Sequence, residues 1–192
     1  MGRKTFDQAH CLALEISSAV KYEEAKLLFE YACKAVANST ILEIGAHFGF
    51  STVILAHVGL QVVTIDPLIP GQYKDPCHPG VCDIYEKDAM GLRKNLKPYS
   101  NVYWIRDKRE LVNSAEIEAV GFVFIDAVHA YPNPLEDFLH FGENYLPGSY
   151  QAWHDYGTFD GVSRSVNELV AKGQIEKVTQ CKSMVITRLK NG

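Results

Sequence analysis

Ile41-Leu42-Glu43-Ile44-Gly45-Ala46-His47-Phe48-Gly49-Phe50-Ser51 is the stretch on which the architecture turns. Its apolar run, with one carboxylate and a terminal glycine, reads as a short strand buried on both faces. The glycine-spaced turn then leads into a helix over residues 51–58. Working outward, the same alternation repeats down the chain. Strands are expected over 61–66, 101–105, 121–126 and 149–154. Helices fall between them over 83–96, 110–119, 134–145 and 162–171, with Pro98 and Pro147-Gly148 as stops. The tail alternates as a hairpin, 175–179 with 183–189. Upstream, residues 6–36 carry apolar positions at helical spacing, broken near Ser17-Ser18. Repeated strand–helix units require right-handed crossovers and a mostly parallel sheet. The expectation is an α/β fold with a seven-stranded sheet, an antiparallel C-terminal hairpin and N-terminal helices. Nothing divides the chain, so 1–192 reads as one domain, a helical extension over 1–38 and a core over 39–192.

Composition narrows the class. The chain has 192 residues, 47% hydrophobic and 22% charged, with 14 Gly and 8 Pro. Those fractions are near the globular average and disfavour disordered, collagen-like and coiled-coil readings. The formal net charge of -4 and pI near 6.0 give no overall electrostatic footprint for nucleic acid. No apolar core follows the basic start, so no secretory signal is expected. No stretch approaches the ~20 apolar residues of a membrane span. Phe6 stands where a myristoylation signal has Ser or Thr. Five scattered cysteines, an odd number, fit reduced thiols and a cytoplasmic location.

In an open parallel sheet, ligands bind beyond the carboxyl ends of the strands, near the point where strand order reverses. Each expected strand end here delivers a polar group: Glu43 and the Gly45–Gly49 loop, then Asp66, Asp107, Asp126 with His129, and His154-Asp155. Buried carboxylates are costly, so their concentration at one edge points to a site. Gly45 allows a tight turn, and Gly49 precedes a helix whose amides favour polar or anionic groups. Their Gly-x-x-x-Gly spacing differs from the Gly-x-Gly-x-x-Gly of dinucleotide binders. Glu43 is placed to touch a cationic or hydroxyl group above the loop. Asp66, about 20 residues on, is placed to accept both hydrogen bonds of a ribose diol. A nucleoside without pyrophosphate suits the set; a plain strand–turn–helix junction is the bland alternative.

At these residues the sequence resembles the class I S-adenosylmethionine-dependent methyltransferases, over residues 41–189. Phe124-Ile125-Asp126-Ala127-Val128-His129-Ala130-Tyr131, Leu146-Pro147-Gly148 and His154-Asp155-Tyr156 look like the small-molecule O-methyltransferase branch, which includes catechol-type and macrolide-sugar-type enzymes. The resemblance implies a Rossmann-like, doubly wound fold and S-adenosylmethionine as cofactor. It places the Gly45–Gly49 loop against the methionine part, Glu43 at its base and Ser51 beside the carboxylate. It gives Asp66 the ribose, Asp107 the adenine amino group and Asp126 a place against the cofactor. Arg106, Lys108 and Arg109 around Asp107 also allow a solvated ion pair there. His129, three residues after Asp126, becomes the general base; capping the helix near Pro134 is its other reading. Related enzymes hold Mg2+ at positions matching Asp126 and Asp155. His154 stands where they have Asp or Glu, so metal-bound and metal-free sites both remain open.

Between Asp75 and Cys82, two thiols and His78 allow a zinc clip or a flexible loop over the acceptor pocket. Tyr73, Tyr85, Tyr131, Tyr156 and Phe159 can shape an apolar pocket for a ring. The function expected is methyl transfer to a hydroxyl oxygen of a small molecule, with neither nucleic-acid nor membrane partners. Two rivals stand beside it: methylation of nitrogen, protein or nucleic acid, and a cofactor-binding module without transfer activity. The N-terminal helices can lid the pocket or pair with another subunit in a homo-oligomer.

Overall fold

The computed structural model describes residues 4–68 and 86–190; Tyr73, Tyr85 and the Cys77–Cys82 loop lie outside the described residues. In chain order the elements are α1 (Phe6–Ala13), α2 (Tyr22–Ala32), β1 (Thr40–Ile44), α3 (Phe50–Ala56), β2 (Gln61–Ile65), α4 (Glu86–Leu96), β3 (Val102–Ile105), β4 (Val120–Ile125), α5 (Asn133–His140), β5 (Tyr145–Trp153), α6 (Asp160–Ala171), β6 (Ile175–Cys181) and β7 (Met184–Leu189). Strand order is β3-β2-β1-β4-β5-β7-β6. β1 to β5 run parallel, and β7 pairs antiparallel with both β5 and β6. This is the expected seven-stranded sheet with its antiparallel hairpin. Order reverses between β1 and β4, which opens a crevice at their carboxyl ends.

Strand side chains alternate between faces, and both faces are covered. Ile41, Phe122 and Phe124 pack under α1 to α4. Leu42, Ile44, Val123 and Ile125 pack under α5 and α6. By this parity Glu43 shares the face of Ile41 and lies under α3. The N-terminal helices belong to the same core, because Phe6, Leu28 and Phe29 join the cluster of the first face.

Two local expectations need correction. Residues 110–119 form no α-helix; two single 3-10 turns, Arg109–Leu111 and Ser114–Glu116, replace it. Only Val112 and Ile117 are buried there, five positions apart, which is no helical stripe. Asn113 caps the second turn by accepting the Ala115 N–H. The helix expected over 134–145 ends at His140, and β5 already begins at Tyr145. Pro147 and Gly148 sit in an irregular stretch of β5 rather than before it. Val120 pairs with Tyr145 and Phe122 with Tyr150, so residues 146–149 bulge out of the ladder.

Candidate active site

A cavity of about 650 Å³ opens at the reversal point, a volume usual for small-molecule sites. The ends of β1, β2, β4 and β5 contribute to its wall, and so do Lys108, Arg109 and Glu110 beyond β3 and the Ser17–Val20 linker between α1 and α2. Gly45 makes the first turn possible. Its φ is +94°, and a Cβ there would lie 2.2 Å from the Asp126 carbonyl oxygen. The β1 and β4 ends therefore touch backbone to backbone, bringing the glycine loop beside Asp126.

Asp66 holds this loop. Its Oδ2 accepts the N–H groups of Ala46 (2.9 Å) and His47 (2.8 Å), and its Oδ1 that of Leu68 (3.1 Å). Burial raises the Asp66 carboxyl above the usual range, against these three donors. An ionised carboxylate has about four acceptor positions, so roughly one remains for a ligand. Glu43 is fully buried and absent from the cavity wall. Ser51 donates to its Oε1 and Thr52 to its Oε2, both at 2.5 Å. Burial pushes Glu43 up to about 7 despite those hydroxyls. Ser51 and Gly49 follow from the same loop: Ser51 lines the cavity, while Gly49 (φ +88°) caps α3. Asp107 accepts the N–H of Lys108 at 2.8 Å and does not line the cavity; Lys108, Arg109 and Glu110 do.

The densest chemistry lies at the ends of β4 and β5. His154, buried, presents Nδ1 to Asp126 Oδ1 and to Asp155 Oδ2, each at 3.2 Å. His129 Nε2 lies 3.0 Å from the same Asp155 oxygen and 3.8 Å from Asp126. The His129 ring stacks on Phe159 with centroids 4.5 Å apart. Burial works against charge on His154, but Asp126, with Asp155, outweighs it and pushes the imidazole up to about 11. Burial likewise tends to raise both aspartates, yet the histidine rings hold Asp126 and Asp155 below the usual carboxylate range.

Asp126, His154 and Asp155 offer ligand atoms within 4.8 Å of one another. Mg2+ takes oxygen ligands in octahedral geometry. Here an imidazole nitrogen stands between the two carboxylates, 3.2 Å from each. This donor set suits a proton-bearing ring and does not fit Mg2+.

The sequence reading missed three participants. Glu24 of α2 reaches His154 from the far side (Oε2 to Nε2, 3.5 Å). Arg109 pairs with the buried Asp137 of α5 at 3.1 Å, and burial pushes Asp137 up to about 7 against that guanidinium. An acidic residue at a helix start, or inside an amphipathic helix, reads as a solvated face. Only the packing of distant segments reveals these as buried.

A family model described as a methyltransferase domain matches residues 42–156, more than half of the chain. No curated protein matches the sequence. Solved structures with similar folds include an O-methyltransferase from Bacillus cereus in complex with SAH (20% identity, 97% of this chain and 89% of that one, TM-score 0.66). TomG from Streptomyces achromogenes, an O-methyltransferase involved in tomaymycin synthesis, in complex with SAM, is another (17% identity, 100% and 92%, TM-score 0.67). A third is the SAH-bound Podospora anserina methyltransferase PaMTH1 (12% identity, 97% and 88%, TM-score 0.69). With the strand order above and this match across its first five strands, the chain belongs to the methyltransferase-domain family and carries the class I fold.

Proposed function

We propose that the protein is an S-adenosylmethionine-dependent O-methyltransferase whose acceptor is a hydroxyl of a small molecule, and that His129 is its general base. One observation carries the mechanism: His129, 3.0 Å from Asp155, lines the cavity that also holds Asp66 and the glycine loop. When bound, the cofactor supplies a methyl group on a sulfonium, open to in-line attack. Asp66 has about one acceptor position left, which suits one ribose hydroxyl rather than both. The Ser51 hydroxyl donates to Glu43, so toward the ligand it is an acceptor. It therefore suits the ammonium of the methionine part better than the carboxylate. Glu43 acts from beneath, fixing Ser51.

On the acceptor side, the His129 imidazole, with Nε2 3.0 Å from Asp155, takes the hydroxyl proton. Asp155 also stabilises the imidazolium that forms. His154, against Asp126 and Asp155, offsets part of their charge without a divalent ion. Among the described residues no helix is long and apolar enough to cross a membrane. The scattered cysteines favour a cytoplasmic setting.

The test is a transfer assay on a panel of phenols and sugars, preceded by calorimetry with S-adenosylhomocysteine. His129→Ala is expected to lower kcat by about 10²–10⁴ with cofactor affinity retained. A chelator is expected to leave the wild-type rate unchanged. An unaffected His129→Ala variant would remove the base, and a chelator-sensitive rate would restore the metal.

A further inference from the structure

Glu24 lies outside the segment that matches the family, on an N-terminal helix, yet its side chain is only 1% exposed. It occupies the third position of α2 and accepts the Lys21 N–H at Oε2 (2.9 Å). That helix-start role does not require burial. In α1 the equivalent Gln8 accepts the Thr5 N–H at 3.1 Å while exposed to solvent. A carboxylate taken out of water needs compensation, and Glu24 finds it on two further elements. Ser183, at the β6–β7 turn, donates its N–H (2.9 Å) and its hydroxyl (2.7 Å) to Oε1. His154, at the end of β5, brings Nε2 to 3.5 Å from Oε2.

The ring of His154 thus has carboxylates at both ends, an ion-pair contact without hydrogen-bond geometry at Nε2 and closer contacts at Nδ1. Nε2 faces Glu24, and Nδ1 faces the shared edge of Asp126 and Asp155. Asp155 uses the same Oδ2 toward His129. A continuous row, Glu24–His154–Asp155–His129, runs from the N-terminal helix to the cavity.

We propose that Glu24 is a positioning residue for the transfer reaction: it fixes the His154 ring, which sets Asp155 and, through it, the orientation of His129. This rests on the transfer reading above. A displacement of about 1 Å at a reacting group costs up to ~100-fold in rate, so the row need loosen only slightly to matter.

Two variants separate positioning from bracing. Ser183→Ala removes one bond to Oε1 and leaves the face toward His154 intact; Glu24→Gln alters that face while keeping the size and the burial. Glu24→Gln is expected to lower kcat at least tenfold, with the acceptor KM and the calorimetric affinity for S-adenosylhomocysteine within twofold of wild type. Ser183→Ala is expected to keep kcat within twofold at a similar loss of melting temperature. Ring-nitrogen NMR gives a readout without turnover: Glu24→Gln should move the resonances of both His154 and His129, and Ser183→Ala should move neither. Resonances indifferent to Glu24→Gln, or equal kcat losses in the two variants, would overturn the proposal. If those resonances move as expected while wild type methylates no hydroxyl, the transfer reading fails and the positional coupling stands.

Discussion

Glu43 is a carboxylate without access to water whose oxygens each accept one hydroxyl, from Ser51 and Thr52. Neutral hydroxyl donors do not offset its desolvation, so its proton is held up to about 7 from an ordinary 4.5. Between those values the folded state keeps a proton that the unfolded state has released. Stability therefore falls as pH rises across that window, by about 3 kcal/mol in all. Above pH 7 the whole penalty is present. Glu43→Gln cannot ionise and escapes it. In denaturant unfolding at pH 5 and pH 8, the stability of Glu43→Gln relative to wild type is expected to improve by ~2–3 kcal/mol at the higher pH. Parallel pH dependences for the two proteins would refute the assignment. The presence of a carboxylate at this strand could be read from the sequence. Its direction could not: alternation aims it beneath α3, and the hydroxyls that meet it are known only once α3 is docked.

Among the elements, α6 packs directly against the backbone of the loop after β4 that carries His129. Gly161, in the first turn of α6, is so close to that loop that a Cβ would lie 2.2 Å from the His129 carbonyl oxygen and 2.4 Å from the Tyr131 nitrogen. Replacing a helical glycine by alanine usually gains about 1 kcal/mol of helix propensity. Here the neighbours are backbone atoms that cannot swing aside, so the clash prevails and the loop must move. Gly161→Ala is expected to lower kcat by about 10–100-fold while S-adenosylhomocysteine binds as before, since the Gly45 loop and Asp66 are untouched. Calorimetry alongside the transfer assay checks this; unchanged kcat would mean that the loop does not set the base. The strand–helix alternation announced α6, but Gly161 carries no local signal of its partner, 30 or more positions away in the chain. The two 3-10 turns after β3 teach the converse. A polar, acidic stretch has helix propensity, and without a buried stripe the tertiary structure gives it no reason to use it.

Across the whole molecule the chain's two ends are tied to each other and to the site. Lys182 pairs with Glu23 at 2.6 Å and Ser183 with Glu24, while the Lys4 N–H donates to the carbonyl of His57 at the end of α3. Phe6, Leu28 and Phe29 complete the core over the first face of the sheet. Each contributes about 1.5–3 kcal/mol by burial, together a large part of the ~5–15 kcal/mol net stability of an average domain. A chain beginning at Ser39 would expose that face and leave His154 without Glu24. It is expected to show no cooperative thermal transition and to bind a hydrophobic dye; a cooperative melt within a few degrees of the full chain would contradict this.

Local order, read by itself, determined the fold class and the edge that holds the site. The periods of two and 3.6 residues, the glycine-spaced turn after the first strand and the polar residue closing each strand are short-range features written in consecutive residues. Tertiary structure alone decided which charges meet. Glu24 and His154 lie on segments 130 residues apart, Arg109 and Asp137 on two different connections, and Ser51 turns its hydroxyl inward to Glu43. Such pairings arise because buried charge must be compensated by whatever packing brings near, and proximity in the folded chain is not encoded by proximity along it.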